Sequence, residues 1–141
     1  MPLARCGVST RVRAMEPRSI LIVDDEASIT QLVGRALRKK GYEVTTAGNG
    51  HEATRLVGHQ RFDLVMTDLL MPDMDGIQVI TELRKTHPEI RLIAMSGGGH
   101  ITQDQYLKIA KGLGAHALLE KPFTIEQLYS VVETTLGGAP A

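Results

Sequence analysis

Residues 64–76 read LVMTDLLMPDMDG, and Asp68 is the first charged residue among them. The four residues before it, 64–67, form a short apolar run that predicts a buried strand ending at Asp68. A helical pattern follows over residues 77–86. It is closed by His87 and Pro88, because the residue before a proline disfavours the helical conformation.

The same alternation of short apolar runs and longer amphipathic segments extends along the chain. It predicts strands at residues 19–23, 43–47, 64–67, 90–95 and 117–119. It predicts helices at residues 28–40, 77–86, 103–113 and 124–136, and one more that begins at the pair Asn49 and Gly50. Ser28 with Gln31, and Thr124 with Gln127, have capping-box spacing. Five strands alternating with five helices predict a parallel sheet that is covered on both faces.

Polar side chains end four of the predicted strands. They are Asp24, Asp25 and Glu26 after the first strand, Asp68 after the third, Ser96 after the fourth and Lys121 after the fifth. In an open parallel α/β sheet, ligands bind beyond the carboxyl ends of the strands, where the strand order reverses. We therefore expect these side chains to converge on one rim of the sheet.

The electrostatics of this rim favour a metal and a phosphoryl group. Several carboxylates a few ångströms apart repel one another unless a cation lies among them. Mg²⁺ prefers oxygen ligands and accepts substrate phosphates in its octahedron. A carboxylate can itself be the nucleophile and form an aspartyl phosphate. Lys121 can neutralise phosphoryl charge, and the Ser96 hydroxyl can donate a hydrogen bond to a phosphoryl oxygen.

Four segments of the chain resemble the receiver domain of bacterial two-component response regulators. They are ILIVDDE at 20–26, MTDLLMPDMDG at 66–76, MSGG at 95–98 and LEKPF at 119–123. The resemblance covers roughly residues 18–137. It implies an α/β fold with a five-stranded parallel sheet, helices on both faces and a flavodoxin-like strand order of 2-1-3-4-5.

The resemblance also implies a role for each site residue. Asp68 would accept a phosphoryl group from a sensor histidine kinase or a histidine phosphotransfer protein. The Mg²⁺ ligands would be Asp24, Asp25, Asp68 and the backbone carbonyl of Leu70. Lys121 would pair with the phosphate, with a cis bond to Pro122, and Ser96 would move to bond a phosphoryl oxygen. Gly76 would allow a tight entry into the helix that follows.

Three features depart from the family pattern. Leu118 stands where many receivers have a phenylalanine or tyrosine that swings inward on activation. Leu70 stands where many have a polar or acidic side chain. The interval from Ser96 to Lys121 is longer than usual and contains three glycines, residues 97–99. We expect that glycine loop to become ordered on phosphorylation, because glycine reaches conformations closed to other residues.

Competing functions fit the sequence less well. A phosphohydrolase of the haloacid-dehalogenase type needs an aspartate two residues after the nucleophile, and Leu70 occupies that position. A degenerate receiver that acts only as a protein-interaction module would not need all five polar site residues, namely Asp24, Asp25, Asp68, Ser96 and Lys121. A flavodoxin-type flavin protein would need a hydroxyl- and glycine-rich loop after the first strand, where this chain has three acids.

Composition is consistent with one intracellular globular domain. The 141 residues carry no net charge, and the single cysteine, Cys6, allows no internal disulfide, as is usual for cytoplasmic proteins. The sequence has no run of about 18 apolar residues, so we expect no membrane span. Residues 1–17 form an arginine-rich segment that we expect to be a disordered extension. Residues 18–137 would be the receiver, and 138–141 a tail.

The sequence ends soon after the last predicted helix. We therefore expect no DNA-binding or enzymatic output domain. The output would be a contact with a downstream protein target, or onward phosphotransfer in a relay. We expect the chain not to be an enzyme beyond a weak self-dephosphorylation.

Overall fold

The structure, a computed structural model, describes residues 18–69, 71, 76–97, 108 and 112–137. Several sequence predictions lie outside these residues. They are the arginine-rich extension (1–17), the tail (138–141), the Leu70 carbonyl, the glycine loop beyond Gly97 and nearly all of the helix expected at 103–113. Among the described residues, no helix has the length and apolar character needed to cross a membrane.

Five strands form a single parallel sheet. They are β1 (Ser19–Val23), β2 (Glu43–Ala47), β3 (Leu64–Asp68), β4 (Arg91–Ser96) and β5 (Ala117–Glu120). Their spatial order is β2-β1-β3-β4-β5, with every neighbouring pair parallel. The expected flavodoxin-like order is therefore confirmed. Each predicted strand bound lies within one residue of the observed one.

Four helices of the described residues cover the sheet. They are α1 (Ala27–Lys39), α2 (Gly50–His59), α3 (Gly76–Thr86) and α4 (Ile125–Thr135). Side chains alternate along each strand, so successive residues of β1 enter opposite layers. Leu21 and Val23 pack in the core that includes α2 and α3. Ile20 and Ile22 pack in the core that includes α1 and α4. Burial on both faces explains why β1, β3 and β4 are largely apolar runs.

The two predicted capping boxes had different outcomes. Thr124 accepts from the backbone N–H of Gln127, and the Gln127 side chain accepts from the Thr124 N–H, so the box at α4 is confirmed. The box at Ser28 is wrong, because α1 begins at Ala27 with Glu26 as its N-cap. Asp24 accepts a hydrogen bond from the Glu26 N–H at 3.0 Å. That contact turns the chain into the helix before Ser28, which lies within the first turn.

Candidate functional site

The carboxyl ends of β1, β3, β4 and β5 meet at one rim of the sheet, as predicted. Lys121, directly after β5, lies 2.7 Å from a carboxylate oxygen of Asp24 and 3.2 Å from one of Asp68. Asp24, Asp25 and Asp68 each offer a carboxylate oxygen, and these three oxygens lie within 4.8 Å of one another. Residues separated by up to 97 positions in sequence thus form one charged cluster.

Asp24 is the most buried acid of this cluster, with 1% of its surface exposed. Its two carboxylate oxygens have different partners. Oδ1 accepts from the backbone N–H of Glu26, and Oδ2 accepts from Lys121. Its own N–H donates to the carbonyl of Ala47 at the end of β2. Asp25, in contrast, is exposed. The rim therefore combines a fixed interior carboxylate with one that is open to solvent.

Asp68 is an ionisable group in an unfavourable environment. It ends β3 with 6% of its surface exposed. Burial raises the pKa of Asp68 to about 6, and the charge of Asp24 acts in the same direction. Lys121 opposes both effects but does not cancel them. An additional cation beside Asp68 would relieve this cost, since an opposite charge at short range favours the ionised carboxylate.

Lys121 is the positive centre of the rim. Burial alone would lower its pKa, but the hydrogen bond to Asp24 and the charges of Asp68 and Asp24 outweigh burial and raise it. The ammonium also lies 3.5 Å from Glu26, an exposed acid whose pairing with Lys121 the sequence reasoning missed. The Lys121–Pro122 peptide bond is cis, as the family resemblance implied.

Ser96 presents a buried hydroxyl at the same rim. The residue is 1% exposed, and its Oγ has no hydrogen-bond partner among the described residues. Its carbonyl accepts from the Lys121 N–H at 2.8 Å, which ties the end of β4 to the residue after β5. A buried hydroxyl without a partner costs free energy. The Ser96 hydroxyl is thus available to donate to an incoming acceptor.

The backbone of Asp68 is held by contacts that strand prediction does not reveal. The Thr67 hydroxyl, fully buried, donates to the Asp68 carbonyl at 3.0 Å. The next N–H, that of Leu69, donates to the Met95 carbonyl on β4 at 3.0 Å. Gly76 packs so closely behind this segment that a Cβ there would lie 1.9 Å from the Asp68 carbonyl oxygen. The tight helix entry expected at Gly76 is therefore present.

Replacing Gly76 by alanine should displace Asp68 from the rim. No shift of a flexible side chain can relieve the overlap, because the clashing atoms belong to the backbone. We expect Gly76→Ala to lower the free energy of unfolding by about 3 kcal/mol, the upper end for overpacking. Urea denaturation measures the loss. Gly58→Ala in α2 is the matched control, because its Cβ meets no atom within 4 Å. It should be neutral or stabilise by about 0.5–1 kcal/mol. Equal effects for the two variants would contradict the close-packing argument.

Residues 20–133 match the family model described as the response regulator receiver domain. The chain belongs to this family. Family membership places it in two-component signalling as a phosphoacceptor module. The charged rim described above lies at the end of the sheet where the family resemblance placed the reacting groups. Leu118, the position of the absent aromatic ring, is half-buried against the core that includes α2 and α3.

Three known proteins illustrate the similarity of this receiver domain to others. The DNA-binding transcriptional regulator NtrC of Azospirillum brasilense is 36% identical over 124 residues, 86% of this chain and 25% of NtrC. Sporulation initiation phosphotransferase F of Bacillus subtilis (strain 168) is 35% identical over 122 residues, 86% of this chain and 96% of that protein. The structure of Vibrio cholerae chemotaxis protein CheY4 matches with a TM-score of 0.77 at 30% identity, covering 84% of this chain and 98% of CheY4. The chain thus spans about a quarter of the length of NtrC and nearly all of the other two.

Proposed function

We propose that this receiver domain accepts a phosphoryl group on the carboxylate of Asp68. The observation that carries the proposal is a buried, destabilised carboxylate that lies 3.2 Å from a lysine ammonium. It shares its rim with the Ser96 hydroxyl, which has no hydrogen-bond partner among the described residues. Nucleophile, positive charge and hydrogen-bond donor are the groups that phosphoryl transfer requires.

The reaction follows from these residues. A carboxylate oxygen of Asp68 attacks the phosphorus of a phosphohistidine donor, the phosphorus–nitrogen bond breaks, and the donor imidazole keeps the bonding pair and takes up a proton. Asp68 becomes an acyl phosphate. The Lys121 ammonium can pair with the phosphoryl oxygens once they are bound, because it already lies beside the Asp68 carboxylate that they join. The Ser96 hydroxyl, which has no hydrogen-bond partner among the described residues, can donate to a phosphoryl oxygen.

The carboxylates of Asp24, Asp25 and Asp68 fit a magnesium ion. Their oxygens are mutually close, one of the three residues is solvent-exposed, and the buried members carry more negative charge than Lys121 neutralises. Bound Mg²⁺ would neutralise phosphoryl charge during the transfer. A backbone carbonyl from Leu70, outside the described residues, would complete the protein ligands proposed here.

Removing the exposed ligand should weaken Mg²⁺ binding without harming the fold. Asp25→Ala deletes a carboxylate oxygen from the cluster and also relieves repulsion among the acids. We expect Mg²⁺ affinity, measured by isothermal titration calorimetry, to fall at least about tenfold. Thermal stability in the absence of metal should be unchanged or slightly higher. Glu43→Ala is the control, because it removes the same charge from an exposed residue at the opposite end of the sheet. If both variants bind Mg²⁺ like the wild type, Asp25 is not a ligand.

We also propose the place of this domain in a pathway. Its donor would be a sensor histidine kinase or a histidine phosphotransfer protein, and its location would be the cytoplasm, where such donors act on soluble substrates. Its phosphorylated form would be read by a downstream protein, with no enzymatic activity of its own beyond slow self-dephosphorylation. Relatives named as a transcriptional regulator and as a phosphotransferase support both a direct output and a relay.

The experiment that tests this function is labelling with acetyl phosphate, with and without Mg²⁺. Intact-mass spectrometry should show one added phosphoryl group that depends on Mg²⁺, and the adduct should be labile, as acyl phosphates are. A chain that gains no phosphate under any of these conditions would be a degenerate receiver, and the proposal would be wrong. Continuous release of phosphate from a monoester substrate would indicate a phosphohydrolase instead.

A further inference from the structure

Two side chains accept backbone hydrogen bonds at the end of the sheet opposite the charged rim, where the strands begin. Asp63, directly before β3, donates its backbone N–H to the Ser19 carbonyl at 2.8 Å. Its carboxylate accepts from the Ser19 N–H, also at 2.8 Å. The Asp63 side chain thus supplies the acceptor for the first amide of β1. Backbone donors left unpaired in such a position cost free energy.

His116, directly before β5, repeats this arrangement on β4. Its backbone N–H donates to the Leu92 carbonyl at 2.8 Å. Its ring nitrogen Nδ1 lies 3.0 Å from the Leu92 N–H. A backbone N–H can only donate, so Nδ1 must accept and the ring must carry its single proton on Nε2. An aspartate accepts a hydrogen bond throughout the physiological pH range, whereas an imidazole does so only while it is neutral.

The surroundings of His116 also disfavour its charged form. The charged groups of the described residues that act on the ring are Arg84 of α3 and Arg91 of β4. Burial and these two guanidinium groups lower the pKa of His116 below its usual value of 6.5. Arg84 is held in place by hydrogen bonds to the carbonyls of Pro88 and Ile90. The residue as a whole is nevertheless exposed, so solvent can reach it.

The strand that His116 anchors carries Lys121 at its other end. β5 has four residues and, within the described part of the chain, lies at the edge of the sheet beside β4 alone. Its ladder begins with the two His116–Leu92 contacts and ends where the Lys121 N–H donates to the Ser96 carbonyl. A bond lost at the first end of so short a ladder loosens the strand that places the ammonium beside Asp68.

We propose that His116 is a positioning residue whose neutral ring anchors β5, and that its protonation loosens β5 and so reduces the ability of Lys121 to support phosphorylation. The effect on phosphorylation depends on the function proposed above for Asp68 and Lys121. Protonated Nδ1 would place one N–H against another at Leu92, so acid removes a hydrogen bond and adds a repulsive contact. Because the pKa of His116 is lowered by folding, the anchoring is present above about pH 6.5 and is lost as the pH falls through the folded-state value.

Amide exchange at Leu92 tests the anchor directly. We expect the protection factor of the Leu92 amide in the wild type to fall about threefold to tenfold as the pH is lowered from 7.5 through the titration of His116, the worth of one hydrogen bond. His116→Asn is the key variant, because its Oδ1 can replace Nδ1 as an acceptor but does not titrate. Its Leu92 protection should not show this fall over the same range. His59→Asn is the control, since His59 Nδ1 faces the Arg55 carbonyl and its contact survives protonation. That control should keep the wild-type pH profile.

Two further measurements complete the test. ¹⁵N spectra of the wild type at pH 8 should show the His116 proton on Nε2, and a proton on Nδ1 would overturn the anchor. The ratio of wild-type to His116→Asn phosphorylation by acetyl phosphate should fall as the pH is lowered. If this ratio does not change with pH while the Leu92 amide loses protection as expected, His116 does not act on phosphorylation through Lys121. If neither protein is phosphorylated at any pH, the proposed function fails, while the Leu92 measurement still decides whether His116 is an anchor.

Discussion

An Asp68→Asn protein is expected to gain no phosphate from acetyl phosphate and Mg²⁺ under conditions that label the wild type. The amide keeps the shape of the side chain but is not a nucleophile for this chemistry. Lys121 keeps its shorter contact, 2.7 Å to Asp24, so the rim should stay assembled. Intact-mass spectrometry measures the adduct. Glu43→Gln, which neutralises an exposed acid at the opposite end of the sheet, should be labelled like the wild type. A comparable adduct on the Asp68→Asn protein would show that the acceptor is another residue.

The same variant should be more stable than the wild type when Mg²⁺ is absent. The folded-state pKa of Asp68, about 6, lies above its ordinary value of 3.8. The stability that this group contributes is therefore fully present below about pH 3.8 and lost as the pH rises through about 6. Asparagine is uncharged at every pH. Its advantage in the free energy of unfolding should reach on the order of 2–3 kcal/mol at pH 7.5 and vanish near pH 3.5. Urea denaturation at the two pH values measures the difference. An unchanged stability at pH 7.5 would mean that the Asp68 carboxylate is not destabilised by its surroundings.

The strand positions and the location of the site could be predicted from sequence. They depend on local hydrophobic patterns and on the rule that the carboxyl ends of parallel strands share one rim. The run of residues 19–23 is apolar, rich in β-branched residues and followed by acids, and the strand has those bounds in the structure. Once the strands are parallel, their carboxyl ends must share a rim. Asp24, Asp68, Ser96 and Lys121 therefore converge whatever the details of packing.

Contacts that depend on register between distant strands could not be predicted in this way. Nothing near His116 in the sequence indicates that its ring accepts from Leu92, 24 residues away. The pairing of Glu26 with Lys121 is equally remote from any local pattern. Gly76 could be identified as a turn residue, but its close approach to the Asp68 carbonyl, which leaves no room for a Cβ, depends on how α3 packs behind β3.

The wrong capping box at Ser28 shows how a tertiary constraint overrides a local signal. Ser28 and Gln31 have suitable spacing, and in an isolated peptide they could start a helix. In the folded chain Asp24 is held by Lys121 and accepts from the Glu26 N–H, so the helix starts before Ser28 can cap it. The residues that build the charged rim thus also determine where α1 begins.

Lys121→Met should cost the metal-free protein about 3–5 kcal/mol of unfolding free energy. The lysine is the cation nearest to two buried carboxylates, with side-chain exposures of 0% for Asp24 and 8% for Asp68. Removing one partner of a buried ion pair leaves an uncompensated charge, which is far more costly than losing a surface pair. Methionine keeps the unbranched stem, so the loss reflects the missing charge rather than a cavity. Lys85→Met on the exposed face of α3 is the matched control and should change stability by less than about 0.5 kcal/mol.

Two further experiments, Mg²⁺ addition and a double-mutant cycle, show whether the stability loss in Lys121→Met is electrostatic or a packing defect. Mg²⁺ should restore part of the lost stability, because it neutralises the carboxylates that Lys121 served. In a double-mutant cycle, the protein with both Lys121→Met and Asp68→Asn should be more stable than the sum of the two single effects predicts, since one of the orphaned charges is then absent. Urea denaturation with and without Mg²⁺ measures all four proteins. If the two effects are additive and Mg²⁺ restores nothing, Lys121 stabilises the fold by packing alone, and its assignment as the counter-charge of Asp68 must be withdrawn.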